Sequence, residues 1–453
     1  MKSFLTSIIY LLVLFQFIGH AKEKNPMIAL WKDSTFQKEF TASYGILSGY
    51  EPDISEAEKA RLRELIKIIR QRPLDAIKEL ASQINSNDSA AFDFILANLY
   101  FQEGQLKEAE QYYQSAVKKY PAFRRAYKNL GLVQIQSNDF VSAIESLSKS
   151  MELGLVDGRA YGLLGYSYLT EGDYLPAEAA YRQAILMQPD VLDWKLGLAR
   201  CLLEMEDFKG AVSIFNTLIL EDPANADYWV LQSNAYIAMD QSMRAASNLE
   251  VVERLGKARF DSLSLLGDIY MNHSMPELAL NAYLKASKMA LASDLDILIK
   301  SANALTQTAN FKEALTIINQ IRDRFNDSID EHQDLKLLTY EAKIARYNGE
   351  ADKAAAILIK IIERDLLNGE ALIELANYYA DQGQVPEAYT RFEQAQKINE
   401  YERPALIAHA QVLVENKRYL KAVSLLNRAL EIESNPLIEN YKDRVERAAQ
   451  KQY

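Results

Sequence analysis

Alanine recurs at one fixed interval along the chain: Ala109, Ala143, Ala177, Ala211, Ala245 and Ala279 are each 34 residues apart. After a slip of one residue the series resumes at Ala314, passes a longer insertion to Ala354, and continues at Ala388 and Ala422. A chain with ten alanines in one such series, seven of the nine steps being 34 residues, is one supersecondary unit stacked on itself. The ordinary expectation of about two to four separate globular domains for this length therefore does not apply.

Other positions keep the same register. If Gly158 is slot 1 of a unit, Ala177 is slot 20, and slots 7 and 8 pair leucine with a small residue: Leu96-Ala97, Leu130-Gly131, Leu164-Gly165, Leu198-Ala199, Leu266-Gly267 and Leu375-Ala376. Slot 11 is Tyr100, Tyr168, Tyr236, Tyr270 and Tyr379; slot 24 is Tyr113, Tyr181, Phe215, Tyr283 and Phe392. Slots 4, 7, 8 and 11 lie at helical spacing and form one apolar stripe, and slots 20, 24 and 27 form another. Between them stand Gly104-Gln105, Asn138-Asp139, Gly172-Asp173, Gly349-Glu350 and Gly383-Gln384, which end one helix and start the next. Pro121, Pro189 and Pro223 close their units. The unit is a helix, a tight turn and a second helix. Small residues let the helices approach closely while aromatic rings fill the space beside them.

This pattern resembles the tetratricopeptide repeat (TPR) family, whose signature W-x2-L-G-x2-Y, A-x3-F and P is matched almost slot for slot by residues 158–191, over about residues 90–436. The resemblance implies an all-α fold, a right-handed superhelical solenoid of about ten to eleven helix-turn-helix repeats. Residues 55–89 read as a degenerate capping repeat, with Ser55 and Glu58 as a capping box and Ala76 one residue out of step. Six repeats follow over residues 90–294, then a seventh with an acidic insertion over 295–334, three more over 335–436, and a closing helix over 437–453. The insertion, RDRFNDSIDEHQD at residues 322–334, is expected to split the array into a longer and a shorter part.

The first twenty-one residues carry one lysine, an apolar run and Gly19-His20-Ala21, which is the pattern of a secretory signal cut after Ala21. The run is shorter than the roughly twenty residues that span a bilayer, and the alternative is an N-terminal membrane anchor. The expected location is the periplasm. Residues 22–54 hold Trp31, Phe36, Phe40, Tyr44 and Tyr50, too aromatic for a free linker, and are expected to dock on the first repeats. The net charge of −11 disfavours nucleic acid, and the single cysteine, Cys201, excludes an internal disulfide. Short strings, SYGILSGYEPDIS and FRRAYKNLGL, resemble those of exported bacterial TPR proteins associated with TonB and ExbB/ExbD systems.

No constellation for chemistry emerges. His273, His332 and His409 lie in different repeats or loops, and no pair has zinc spacing. Asp327, Asp330, Glu331 and Asp334 fit no calcium loop and read as a solvated acidic stretch. Neither a phosphate loop nor a nucleophile elbow is present. The expectation is a protein without catalytic residues, metal or cofactor, and without a small-molecule substrate.

In the TPR family the first helices line a concave face on which partner peptides lie, which here directs attention to slots 2, 5, 9 and 12. Asn98, Asn129 and Arg159 match three positions of the family's carboxylate-clamping groove, but Phe94 and Leu163 replace two of its cations. Slot 2 changes sign along the chain, from Arg125 and Arg159 to Asp193, Asp227, Asp261 and Asp296; this either orients a partner or complements helix dipoles. Leu196, Leu203, Val230, Ile237 and Met271 place apolar side chains on the same face, where they either pack against the next first helix or form a floor for a partner. The functional expectation is a non-catalytic scaffold binding a peptide or protein of the bacterial cell envelope. An assembly factor for polysaccharide secretion or outer-membrane machinery would use the same surface.

Overall fold

The computed structural model describes residues 51–451, so the expected signal segment and most of the aromatic stretch after it lie outside the described residues. Among the described residues the regular structure is helical throughout, and it falls into two compact units divided between Leu255 and Gly256. The fold is all-α, with helix-turn-helix pairs stacked within each unit.

The first unit contains α1 (Glu56–Gln71), α2 (Pro73–Gln83), α3 (Ala90–Gln102), α4 (Leu106–Lys119), α5 (Arg124–Gln136), α6 (Phe140–Glu152), α7 (Gly158–Glu171), α8 (Tyr174–Met187), α9 (Leu192–Glu204), α10 (Phe208–Glu221), α11 (Ala226–Ala238) and α12 (Ser242–Arg254). Ser55 begins α1, its hydroxyl accepting from the Glu58 amide while the Glu58 carboxylate accepts from the Ser55 amide. Leu65, Ile69, Ala76, Ile77 and Leu80 of α1 and α2 pack on Phe92, Ile95, Leu96 and Leu99 of α3. This degenerate pair therefore covers the apolar side that α3 would otherwise expose at the start of the repeats.

The second unit contains α13 (Phe260–Asn272), α14 (Pro276–Met289), α15 (Leu295–Gln307), α16 (Phe311–Phe325), α17 (Glu331–Tyr347), α18 (Ala351–Arg364), α19 (Gly369–Asp381), α20 (Val385–Ala395), α21 (Glu402–Glu415), α22 (Tyr419–Ile432) and α23 (Pro436–Lys451). Helix α23 lies on α22 and places Val445 in the last core cluster, beside Ile438 and Tyr441.

The repeated slots do what their size dictates. The alanines of slot 20 are fully buried, except that Ala354 keeps 4% exposure, and the slot 24 rings Tyr113, Tyr181, Phe215, Tyr283 and Phe392 are fully buried too. Each first helix packs on its own second helix and reaches along the stack, as α7 touches both α5 and α9. All ten turns place one residue at positive φ, five residues before the alanine: Gly104, Asn138, Gly172, Glu206, Asp240, Ser274, Ala309, Gly349, Gly383 and Lys417. That left-handed residue closes the first helix, donating its amide three residues back, as Asn138 does to Ile135 and Lys417 to Val414.

The acidic stretch differs from the expectation. Its residues extend α16 and α17 on either side of a short 3-10 turn, Asn326–Ser328, instead of forming a loop that divides the array. Asp330 caps α17 by accepting from the Gln333 amide. Asp334 accepts from Arg322 at 2.8 Å and from Arg364 at 2.5 Å, and Arg322 also donates to Glu341 at 2.6 Å. Burial alone would raise the Asp334 pKa, but the two guanidinium groups outweigh it and hold the carboxyl below its usual value. These charges join α16, α17 and α18, so they serve packing, and the compact boundary falls at Leu255 instead.

Candidate protein-binding face

The first helices α3, α5, α7, α9 and α11 of the first unit carry eight of the nine candidate residues; Met271 belongs to α13 of the second unit, where it is half-buried. Asn98 and Asn129, expected on an open groove, are withdrawn from solvent at 0% and 3% exposure. The Tyr113 hydroxyl and the Asn129 amide both donate to the Asn98 carbonyl oxygen, the latter at 3.0 Å. Their location between α3, α4 and α5 turns the pair into an internal polar knot, with Asn98 Nδ2 and Asn129 Oδ1 buried and unsatisfied. In this arrangement they do not form a clamp open to a carboxylate.

The basic residues are also engaged. Arg125, on the first turn of α5, donates from Nε and Nη2 to the two carboxylate oxygens of Glu51, and its guanidinium lies 5.2 Å from the centre of the Phe94 ring. Lys128 reaches Asp157 at 3.2 Å; burial lowers its pKa despite that partner. Arg159 is half-buried on α7, its amide held by the Asp157 carboxylate. The sequence does not single out Glu51, the partner of Arg125. It has no repeat register and precedes the array, so nothing in the periodicity marks it.

The apolar candidates divide. Leu196 is buried in the first core cluster, and Leu203 packs partly against it. Val230 and Ile237 of α11 are half-buried, and Asp227 beside them is exposed. Asp193 on α9 is half-buried, and burial raises its pKa. Slot by slot, then, the face closes toward α3 and opens toward α11. In α3 the corresponding residues Ala91, Phe94, Asn98 and Phe101 are all at most 3% exposed.

Cys201 and His409 are placed as packing groups. Cys201 is fully buried, and burial pushes its thiol up to about 12. His409 stacks on Phe392 with ring centres 5.2 Å apart, contacts Gln396 through Nδ1 at 3.0 Å, and is held below its usual pKa by burial. His273 and His332 are exposed, far apart in the chain. Among the described residues there is no cluster of histidine, cysteine and carboxylate suited to a metal ion, and no helix long and apolar enough to cross a membrane. The second unit has a small cleft with Ala342, Leu358, Ile361 and Ala371 as its apolar lining and the pairs Lys343–Glu370 and Arg346–Glu374 at its rim.

Two tetratricopeptide repeat family models match this chain, one over residues 168–235 and the other over 87–151 and 341–402. The chain carries tetratricopeptide repeats. A TPR repeat-containing protein of Methanocaldococcus jannaschii is 26% identical over 155 residues, which are 34% of this chain and 27% of that one. Protein SULFUR DEFICIENCY-INDUCED 1 of Arabidopsis thaliana is 23% identical over 196 residues, 42% of this chain and 58% of its own. The aligned part thus falls short of two thirds of either relative. Among solved structures, a TPR protein from Parabacteroides merdae aligns over 52% of this chain and 94% of its own at 18% identity and a TM-score of 0.37. YrrB, described as a TPR protein with an unusual peptide-binding site, aligns over 43% of this chain and 96% of its own at 19% identity and a TM-score of 0.39.

Proposed function

We propose that this TPR protein is a non-catalytic scaffold of the cell envelope that binds a segment of another protein along the first helices of its N-terminal unit. The observation that carries the reading is the graded face: first helices stacked against one another, with apolar Leu203, Val230 and Ile237 left half-buried toward α11 while the equivalent positions of α3 are closed. Half-buried apolar side chains in register on adjacent helices suit an apolar helix or extended strand that completes their burial. The setting rests on the N-terminal signal pattern, and the resemblance of two short strings to those of TonB-associated TPR proteins makes an accessory role in energy transduction the finer form of the proposal.

The test is a double variant, Leu203→Glu with Ile237→Glu, expressed in the native envelope and compared with wild type by in-cell crosslinking. A chain that keeps its helicity and melting temperature while losing its crosslinked protein supports the reading, because charges on the floor oppose desolvation by an apolar partner. A folded variant that retains the same partner at the same yield removes this face from consideration.

A further inference from the structure

We propose that Asp268 of α13, with Ser264 one turn before it, is a seat for a basic side chain, the ammonium or guanidinium group of a lysine or arginine presented by a protein segment. The seat lies within the second unit and does not depend on Leu203, Val230 and Ile237 of the first.

Slots 2, 5, 9 and 12 of α13 are Asp261, Ser264, Asp268 and Met271, which at helical spacing share one side of the helix. Asp261 stands in the first turn, where an aspartate complements the helix dipole, as Asp296 does in α15. Asp268 has no such reason to be acidic, because it lies toward the other end of the helix. It is half-buried, and its Oδ1 accepts from the Tyr283 hydroxyl at 2.7 Å. The first unit makes the same bond without a charge, where Asn98 at slot 9 accepts from Tyr113 at slot 24. Packing thus asks for a carbonyl oxygen at this slot, and the negative charge of Asp268 is surplus to it. Lys300 of α15 is close enough to lower the Asp268 pKa, but it is exposed and makes no ion pair with Asp268 among the described residues. A carboxylate drawn out of water without an ion-pair partner gains from any cation that docks on it with directed N–H groups.

A second observation is independent of this charge. Ser264 is 6% exposed, and its hydroxyl is buried without a hydrogen-bond partner. Other serines of the first helices return the hydroxyl to the carbonyl one turn back, as Ser233 does to Trp229 and Ser301 to Ile297; Ser264 does not. It stands between Asp261 and Asp268 on their side of α13, so its lone pairs remain available to an N–H group brought to the two carboxylates. The charge on the packed pair of helices selects the same occupant. Their side chains carry Asp261, Asp268 and Asp296 against the single cation Lys300, and Asp296 accepts from the neutral amide of Gln333 at 3.0 Å. A basic group is complementary to this surface, and an acidic one is repelled.

The experiment selects short random peptides displayed on phage against the full chain and discards those that also bind Asp268→Asn. That variant keeps an oxygen for Tyr283 and should not lower the unfolding midpoint, so lost binding is not lost fold. The peptides that remain are expected to share a lysine or arginine. Replacing it by norleucine or citrulline should weaken binding, read by fluorescence anisotropy, by at least about tenfold. Ser264→Ala should weaken the same peptides by about two- to fivefold, since one acceptor is lost. Lys300→Ala removes a competing cation and should tighten them by about two- to threefold. Leu203→Glu with Ile237→Glu should leave them unchanged, which separates failure of this seat from failure of the scaffold reading. A selection that leaves no peptide specific for the wild type, or neutral analogues that bind equally well, overturns the proposal. So does a Lys300→Ala chain with a clearly lower unfolding midpoint and unchanged peptide affinity, because Lys300 would then be the cation of Asp268.

Discussion

Tyr181 of α8 is wedged between Gly165 of α7 and Gly197 of α9: a Cβ built on Gly165 would stand 2.9 Å from its Cγ, and one built on Gly197 would meet the Cζ end of the ring more closely still. The ring is fully buried, so it has no free side to move into. The two glycines occur on successive first helices because one aromatic second-helix residue must reach both.

Gly197→Ala is a contest between two effects. Alanine favours a helix interior by about 1 kcal/mol over glycine, but a methyl group in contact with an immobile ring costs about 1 to 3 kcal/mol. We expect overpacking to win and the urea midpoint of the first unit to fall. A midpoint equal to or above wild type would mean that the ring shifts freely, and the tight packing assigned to α7, α8 and α9 would be wrong.

The same tyrosine carries a liability. Its hydroxyl is buried without a hydrogen-bond partner, and burial pushes its pKa well above the ordinary value. Tyr181→Phe deletes an unsatisfied polar atom and keeps the ring, so it should be neutral or stabilising by up to about 1 kcal/mol. Tyr113→Phe, by contrast, removes the donor to the buried Asn98 carbonyl oxygen and should destabilise by about 1 kcal/mol. Opposite signs for these two equivalent slots, measured by denaturant unfolding, are the expected outcome.

The turns give a third contrast. Glu206, Ala309 and Lys417 hold φ near +60°, where a side chain costs about 1 kcal/mol or more, while Gly172 fills the same slot without strain. Ala309→Gly and Glu206→Gly should each stabilise by about 0.5 to 1 kcal/mol, and Gly172→Ala should destabilise by about 1 kcal/mol. If all three move the midpoint in one direction, the left-handed conformation is not retained at these sites.

These turns also show what the sequence made legible. Glycine at Gly104, Gly172, Gly349 and Gly383 marks the left-handed slot, and the alanine ladder carries that slot to the other six units. Glu206, Ala309 and Lys417 give no local signal; the cooperative packing of two helices imposes the conformation on them. The candidate face was harder to read. Slot arithmetic places Asn98 and Asn129 on the first helices but does not say that they turn inward to Tyr113, because one helix face borders both the groove and the next repeat. Glu51 has no register at all, and its pairing with Arg125 is a tertiary fact. The acidic run at residues 322–334 looked like a loop because its charges outnumber its apolar residues. Asp334 finds one partner inside the run, Arg322, and the other, Arg364, thirty residues on in the next helix.

The last prediction concerns Asp268 on α13, whose Oδ1 accepts from the Tyr283 hydroxyl at 2.7 Å. Burial is the dominant influence and raises its pKa; the hydrogen bond from Tyr283 and the nearby Lys300 charge lower it, but by less. The folded chain therefore holds this proton more tightly than the unfolded chain does. Between the ordinary carboxylate value of about 4 and the raised folded value the native state binds more protons, so stability falls as pH rises through that window, and the loss is complete above it. Above that window the ionised Asp268 is a net cost that the array tolerates. Asp268→Asn keeps an oxygen for Tyr283 and removes the ionisation. Its unfolding midpoint should exceed that of wild type at pH 7, and the gap should close as pH is lowered toward 4, where both side chains are neutral. Tyr283→Phe should act the other way, raising the carboxyl further and extending the window upward. A constant gap between Asp268→Asn and wild type at all pH values would mean that the carboxyl is not desolvated, and that Tyr283 binds an ordinary, solvated aspartate.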